Sequence, residues 1–198
     1  MNVNKGPFML KSSLLFFLLT FSLTFSLWAQ TAGELPARFS IEKMKEMKNV
    51  LKYKGQLIKL NKLIPIGEEE EGKTWNIYTK SILKRKNLYF VFDHEAEGSA
   101  AKKSLIGIGV IKDDDHYLSW LAIHPDYRGS KNGRLAEKLL YRILQDFPQI
   151  HLDVRQNNTI ALQFYRKLSC LMEVVERPGE TYKNGDQGLH FVLGPLLE

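Results

Sequence analysis

Two short groups of residues in the second half of the chain have the types and spacing needed to hold an anion and to supply a proton. The first is the basic segment 128–134, Arg-Gly-Ser-Lys-Asn-Gly-Arg, which follows an apolar strand pattern. A helical pattern comes next, so backbone N–H groups of this segment would lie at a helix N-terminus, where unpaired N–H groups and the helix dipole favour phosphate. The second group is Asn158, Ala161 and Tyr165, which offers a side-chain amide and a phenol hydroxyl on a later predicted helix.

Strand and helix patterns surround these two groups in a regular order. Apolar, β-rich runs predict strands at 88–92 and 105–111, joined as an antiparallel hairpin. Further strands are predicted at 116–123, 150–155, 172–176 and 189–193, and helices at 131–147 and 158–168. The order β-β-β-α-β-α-β-β predicts an α/β (α+β) fold with a mixed, mostly antiparallel central sheet and flanking helices.

Upstream of the hairpin, five apolar residues recur at helical spacing among lysines: Ile41, Met44, Met47, Val50 and Leu51. They predict an amphipathic helix within 38–63 that breaks at Gly55. Its basic face fits a solvated surface better than a membrane- or substrate-docking helix, because lysine-rich exposed faces are common. Another short helix is predicted over 75–83.

The amino terminus has the layout of a targeting segment. Lys5 and Lys11 precede an uncharged run, residues 12–33, with an apolar centre. A positive flank, an apolar core and small residues near Ala29 are typical of a secretory signal peptide, which predicts a secreted or periplasmic protein. The alternative is a membrane anchor, because about 20 apolar residues can span a bilayer; residues 12–33 would then associate with the membrane.

Composition bounds the remaining possibilities. With 44% hydrophobic and 25% charged residues, the chain is typical of a globular protein rather than a disordered one.

Cys170 is the single cysteine, which excludes an intramolecular disulfide, and its place at a helix end predicts a buried residue. The five histidines lack metal-binding spacing, so no metal site is predicted. The net charge of +6 fits acidic partners, but the lysine-rich segment lacks interleaved aromatic residues, so no nucleic-acid partner is predicted.

The two chemical groups together resemble motifs of the GCN5-related N-acetyltransferase (GNAT) superfamily. In that family a Pro-x-Tyr-Arg-Gly turn, here 125–129, leads into a loop that wraps the coenzyme A pyrophosphate, and an Asn-x-x-Ala-x-x-x-Tyr motif matches 158–165. The resemblance covers residues 88–194 and implies an acyl-CoA N-acyltransferase-like fold. It also implies transfer of an acetyl group from acetyl-CoA, as co-substrate, to a primary amine of a small molecule, a peptide or a protein lysine.

With this resemblance the chain is divided into three parts. These are 1–29, a signal peptide or membrane anchor; 30–87, an N-terminal helical and variable part of the domain; and 88–198, a GNAT-like acetyltransferase core.

The resemblance also implies roles for individual residues. Backbone groups of Leu121 and Ile123 would hold the pantetheine arm between two parallel strands that splay apart. Asn158 would contact this arm, and Tyr165 would be the catalytic residue that protonates the departing thiolate. The loop residues implied to bind the pyrophosphate are Arg128, Gly129, Ser130, Lys131, Asn132, Gly133 and Arg134. Lys131 replaces a glycine of the family pattern, so it either costs energy at a positive φ or binds phosphate as a point charge.

Two questions stay open at the level of sequence. The chain is interpreted as an enzyme, with an exported, non-catalytic GNAT-fold binding module as the alternative. The general base that would deprotonate the amine is not identified by a motif, and a water chain could serve instead. The candidates at predicted strand ends are His94, Glu95, Asp115 and His116.

Overall fold

Seven strands and four α-helices alternate along the described part of the chain, residues 34–64, 86–95, 103–112, 114–182 and 185–194 of a computed structural model. The strands are β1 (Phe39–Met44), β2 (Lys86–Asp93), β3 (Ser104–Lys112), β4 (Leu118–Ile123), β5 (Ile150–Arg155), β6 (Glu173–Thr181) and β7 (Gln187–Gly194). The helices are α1 (Met47–Leu51), α2 (Lys54–Lys62), α3 (Leu135–Asp146) and α4 (Thr159–Lys167). Single 3₁₀ turns span Pro125–Tyr127, Ser130–Asn132 and Leu168–Cys170.

The strands form two antiparallel sheets that meet at one point. One sheet has the order β1-β2-β3-β4 and the other the order β5-β7-β6. They are joined by a parallel bridge between Tyr117 and His151, just before β4 and near the start of β5. The mixed, mostly antiparallel arrangement with flanking helices confirms the predicted fold class.

Apolar side chains cover the two faces of the first sheet differently. On one face α1 and α2 contribute Val50, Leu57 and Leu60 to a buried cluster with alternate residues of β2, β3 and β4. On the other face α3 packs so closely that a Cβ added to Gly109 would lie 2.7 Å from the Ile143 side chain. This glycine therefore serves helix packing, in agreement with its prediction as an ordinary strand residue.

The predicted elements of the core are largely confirmed. The strand over 150–155 has the predicted bounds, and the hairpin of β2 and β3 is antiparallel. The helix predicted from residue 131 begins later, because residues 130–132 form a separate 3₁₀ turn.

Two predictions are wrong in the described residues. Residues 39–44 form β1 instead of the start of a helix, because their backbone pairs along its whole length with β2; the helical segment is then interrupted at Lys52–Tyr53, and Gly55 lies inside α2. Cys170 is exposed, with its thiol directed at the carbonyl of Lys167.

Some predictions concern residues outside those described. The targeting segment over 1–29 and the helix over 75–83 both belong to this group and stay predictions. Within the described part of the chain, no helix is both long and apolar enough to cross a membrane.

Candidate functional site

In the described part of the chain, β4 and β5 stop pairing directly after the bridge that joins them, and the region between their facing edges is here called the cleft. The N–H of His151 donates to the carbonyl of His116 at 3.2 Å, which closes the cleft at one end. Beyond Tyr117 and His151, the described parts of β4 and β5 share no further bridge, and the two strands belong to different sheets. Two neighbouring parallel strands that part after one bridge therefore give the wedge that the sequence resemblance implied.

The backbone of β4 faces this cleft at alternate residues. The N–H of His124 donates to the Ile106 carbonyl of β3 at 2.7 Å. Because backbone groups alternate between the two edges of a strand, Leu121 and Ile123 direct theirs away from β3. Consistent with this, the Ile123 carbonyl accepts a hydrogen bond from Arg128 Nε at 2.9 Å. The predicted pantetheine-binding residues thus face the cleft, although one of their carbonyls is already engaged.

The turn after β4 is held by its own side chains. His124 accepts a hydrogen bond from the Asp126 N–H through Nδ1, as expected for a structural residue of this turn. Asn132 donates from its amide to the Asp126 carbonyl at 3.0 Å. These bonds fix the chain between β4 and α3 as a closed loop.

Positive φ angles in this loop occur at Gly129, Gly133 and Arg134, with values of 87°, 73° and 55°. Lys131 is not among them, because it lies in the right-handed 3₁₀ turn. It therefore carries none of the backbone strain considered for this position, and the strain falls on Arg134 instead. A Cβ at Gly133 would lie 2.9 Å from the ring of Pro36, so this glycine also permits a close contact.

Cationic side chains and unpaired N–H groups meet at the start of α3. Arg128, Lys131 and Arg134 are exposed, and Arg134 lies 3.6 Å from Glu137 in the first turn of α3. Among the described residues no side chain caps this helix, so its first N–H groups are left for a ligand or for water. This arrangement suits an anion such as a phosphate group.

A partly buried ion pair connects this loop to β2 and to the residue before β1. Asp93 is fully buried and accepts hydrogen bonds from Arg38 Nε at 2.7 Å and Nη2 at 2.6 Å. It also accepts from the Tyr127 hydroxyl at 2.8 Å and from the Glu95 N–H at 2.9 Å. The Arg38 hydrogen bonds lower the pKa of Asp93 to about 2, against the opposing effect of burial. Motif spacing alone did not identify this pair, since 55 residues separate its members.

The second predicted group lies on α4. The side-chain oxygen of Asn158 accepts from the Ala161 N–H at 3.2 Å, so Asn158 is the N-cap of this helix. The motif spacing thus has a structural cause, and the amide nitrogen of Asn158 remains available as a donor.

Tyr165 is buried, and its ring contacts Phe191 of β7 with centroids 5.6 Å apart. Burial raises the pKa of its hydroxyl, so Tyr165 stays protonated over the physiological range. It can donate a hydrogen bond to a developing thiolate. Complete proton transfer to a thiolate is harder, because an alkyl thiol such as cysteine has a pKa of only about 8.5.

The four general-base candidates lie at strand ends and are engaged there. His94 contacts the Ser40 hydroxyl at 2.9 Å, and Glu95 lies 3.8 Å from Arg38. Asp115 accepts from the Tyr117 N–H, and the His116 ring packs edge-on against Phe147.

Sequence reasoning missed a polar cluster where the cleft closes, formed by Tyr117, His151, Asp153 and His190. Its signal was the alternation in β5, where His151, Asp153 and Arg155 occupy the face opposite the buried residues. Within the described residues, no group of histidine, cysteine or acidic side chains fits a metal ion.

Comparisons with known proteins agree with this architecture. The model of the Acetyltransferase (GNAT) family matches residues 56–169, which start in α2 and end just after α4. No curated protein sequence matches the chain significantly.

Three solved structures illustrate the likeness. An acetyltransferase from Streptococcus agalactiae 2603 is 18% identical, with a TM-score of 0.55 over 82% of this chain and 100% of that chain. The ribosomal-protein-S18-alanine N-acetyltransferase from Escherichia coli is 14% identical, with a TM-score of 0.52 over 81% and 96%. The PaiA N-acetyltransferase from Thermoplasma acidophilum, in complex with coenzyme A, is 18% identical, with a TM-score of 0.50 over 76% and 98%. At these identities the likeness establishes the fold alone.

Proposed function

Because the chain belongs to the GNAT acetyltransferase family, we propose that it transfers an acetyl group from acetyl-CoA to a primary amine. The observation that carries this proposal is the parting of β4 and β5 after the bridge between Tyr117 and His151. The cleft so formed exposes backbone groups of Leu121 and Ile123 and leads towards the basic loop 128–134. A long thioester with an anionic end fits such a cleft.

The residues at the loop suit the anionic part of coenzyme A. The exposed side chains of Arg128, Lys131 and Arg134 supply positive charge, and the uncapped start of α3 supplies N–H donors. Lys131 adds a point charge at a position with ordinary backbone geometry. The charge of this side chain would compensate for the loss of the glycine that the family pattern has at this position.

The residues further along the cleft would position the acyl arm. N–H groups of Leu121 and Ile123 would donate hydrogen bonds to it, and the amide of Asn158 would add another. When bound, acetyl-CoA supplies an activated thioester, and the protein has to orient it and exclude water. Tyr165 would stabilise the departing sulfur by a hydrogen bond from its protonated hydroxyl.

Calorimetric titration of acetyl-CoA into the purified protein, at low and at moderate salt, tests the binding step. We expect micromolar binding in the wild type and weaker binding in Lys131→Ala. Lys59→Ala, which removes another exposed lysine on α2, is the matched control and should bind normally. Absence of binding at millimolar acetyl-CoA would refute the enzyme proposal and favour a non-catalytic module.

A turnover assay tests the transfer step. Release of free thiol from acetyl-CoA is followed with a fixed panel of amines: n-butylamine, spermidine, a lysine methyl ester and a tetrapeptide. Tyr165→Phe should lower kcat by about 10²-fold or more, with little change in the dissociation constant of acetyl-CoA. A loss of acetyl-CoA binding without a specific loss of kcat would instead assign Tyr165 a packing role beside Phe191.

A further inference from the structure

A chain of hydrogen-bonding side chains begins on β5 and β7 beside the closed end of the cleft. Asp153 accepts from the Tyr117 hydroxyl at 2.9 Å through Oδ2, and its Oδ1 lies 2.9 Å from His190 Nδ1. His190 Nε2 in turn lies 3.4 Å from His151 Nδ1. The planes of the two imidazole rings differ by 27°, and their centroids lie 5.5 Å apart.

The donor and acceptor roles along this chain follow from the acceptor-only character of an ionised carboxylate. His190 must donate from Nδ1 to Asp153, so in the neutral ring its Nε2 carries the lone pair. That lone pair can accept only from a protonated Nδ1 of His151. The order of bonds therefore leaves His151 Nε2 as the unprotonated nitrogen at the end of the chain.

Tyr117 anchors the other end of the chain. Burial, together with the neighbouring charge of Asp153, raises the pKa of the Tyr117 hydroxyl. The hydroxyl therefore keeps its proton and donates to Asp153 throughout the neutral range. With one oxygen held by Tyr117, the Asp153 carboxylate is oriented towards His190.

The faces of the second sheet place His151 and Tyr165 on opposite sides. Tyr165 contacts Phe191, which pairs with Leu152 on β5. His190 and His151 precede these residues, so their side chains point to the other face. His151 also forms the bridge at which β4 and β5 part.

We propose that His151 is the general base of the acetyl transfer, with Nε2 taking a proton from the attacking amine while His190 and Asp153 stabilise the resulting imidazolium. This inference rests on the proposed acetyltransferase function. The amine would reach the cleft from the face that carries His151, opposite Tyr165. The uncharged nitrogen then forms the C–N bond, and the C–S bond breaks with its electron pair on sulfur. The proton that His151 Nε2 takes from nitrogen passes to solvent, and the departing thiolate takes one proton from solvent, so the products are the amide and the free thiol.

Other charged or titratable groups lie around this chain. They are Arg155 on β5, which lies 3.6 Å from Asp186, Arg177 on β6 opposite His190, and Tyr182 after β6, whose ring lies 4.7 Å from the Arg155 guanidinium. Burial, with the charge of Asp153, raises the pKa of Tyr182, so this group stays neutral.

Nitrogen NMR of the histidine side chains tests this hydrogen-bonded chain in the full-length protein without any substrate. The proposal predicts a proton on Nδ1 and a lone pair on Nε2 for both His151 and His190 in the neutral state. Asp153→Asn should alter the tautomer of His190, because an amide can also donate. Protonation of Nε2 in neutral His151 would overturn the proposal.

Kinetics provide the second arm, with the amine panel and acetyl-CoA as probes. His151→Gln should lower kcat/KM by at least about 10²-fold at pH 7, with an unchanged dissociation constant for acetyl-CoA. Lys59→Gln, at an exposed lysine of α2, is the control and should retain activity. Added imidazole should partly restore His151→Ala. Unchanged turnover in His151→Gln would refute the role of His151 as general base and would leave the proposed acetyltransferase function intact. Failure of the wild type to bind acetyl-CoA would refute the proposed function itself. If no amine of the panel is acetylated, the NMR measurement still tests the predicted tautomers of His151 and His190.

Discussion

Replacing Asp93 by asparagine should destabilise the protein more at neutral pH than at pH 3. The native carboxylate is fully buried and accepts from Arg38, Tyr127 and the Glu95 N–H. An asparagine at this position presents N–H donors towards the Arg38 guanidinium, which has only donors. The substitution therefore removes the charge and leaves donors facing donors.

The pKa of Asp93 sets the magnitude and the pH range of the effect. Lowering this pKa from 3.8 to about 2 corresponds to about 2 kcal/mol. Because the folded value is the lower one, this stabilisation is full above the unfolded value and is lost as the pH falls through the folded value. About half of it should be gone by pH 3. Arg38 is 40% exposed, so solvent screening reduces the contribution to about 1–2 kcal/mol.

Urea unfolding of the wild type and Asp93→Asn between pH 7 and pH 3 measures this difference. We expect about 2–4 kcal/mol at pH 7, which includes the unpaired donors, and a clearly smaller value at pH 3. Glu176→Gln is the control, because the Arg166–Glu176 pair has similar bidentate geometry but a carboxylate that is 32% exposed, whereas Asp93 is fully buried; it should cost about 1 kcal/mol or less. A difference for Asp93→Asn that does not change with pH would refute the ionic explanation.

Substitutions at three positions test separate parts of the molecule. Asn158→Ala should cost about 1 kcal/mol of stability by removing the N-cap of α4, measured by urea unfolding, whereas Asn158→Ser should keep most stability and still weaken acetyl-CoA binding in calorimetry. Gly109→Ala should lower the free energy of unfolding by about 1–3 kcal/mol, because its methyl group would crowd Ile143; equal stability would show that the Ile143 side chain or α3 can shift. The loss of acetyl-CoA affinity in Lys131→Ala should shrink as salt rises, and a salt-independent loss would argue against a charge contact.

The core of the fold could be predicted from sequence because its strands are strongly patterned. In β2 and β3 the runs of aromatic and β-branched residues leave little alternative to buried strands, and β5 alternates strictly between apolar and polar residues. The pattern in residues 39–44 was misleading, because Ile41 and Met44 fit helical spacing while the backbone had a partner in β2. Sheet pairing with a distant strand cannot be read from local spacing.

The residues of the candidate site also fall into two groups, those that a local sequence motif contains and those that only the fold brings together. The loop and Asn158 could be found because local motifs contain them, and Asn158 has a local structural role as a helix cap. The contacts of Asp93 with Arg38, and of His190 with Asp153, bring together residues 55 and 37 positions apart. Only the folded chain places them side by side.

The open edge of β4 also makes the cleft observable in the unliganded protein. Ile123 is 4% exposed, yet its N–H and that of Leu121 face no neighbouring strand in the described part of the chain. Amide hydrogens in a central strand usually exchange with deuterium only on extensive unfolding, whereas these two need only water in the cleft. The amide hydrogens of Leu121 and Ile123 should therefore exchange fast in the free protein and slowly once the cleft is filled. The amide hydrogen of Ala122, which lies between them, should exchange slowly in both states.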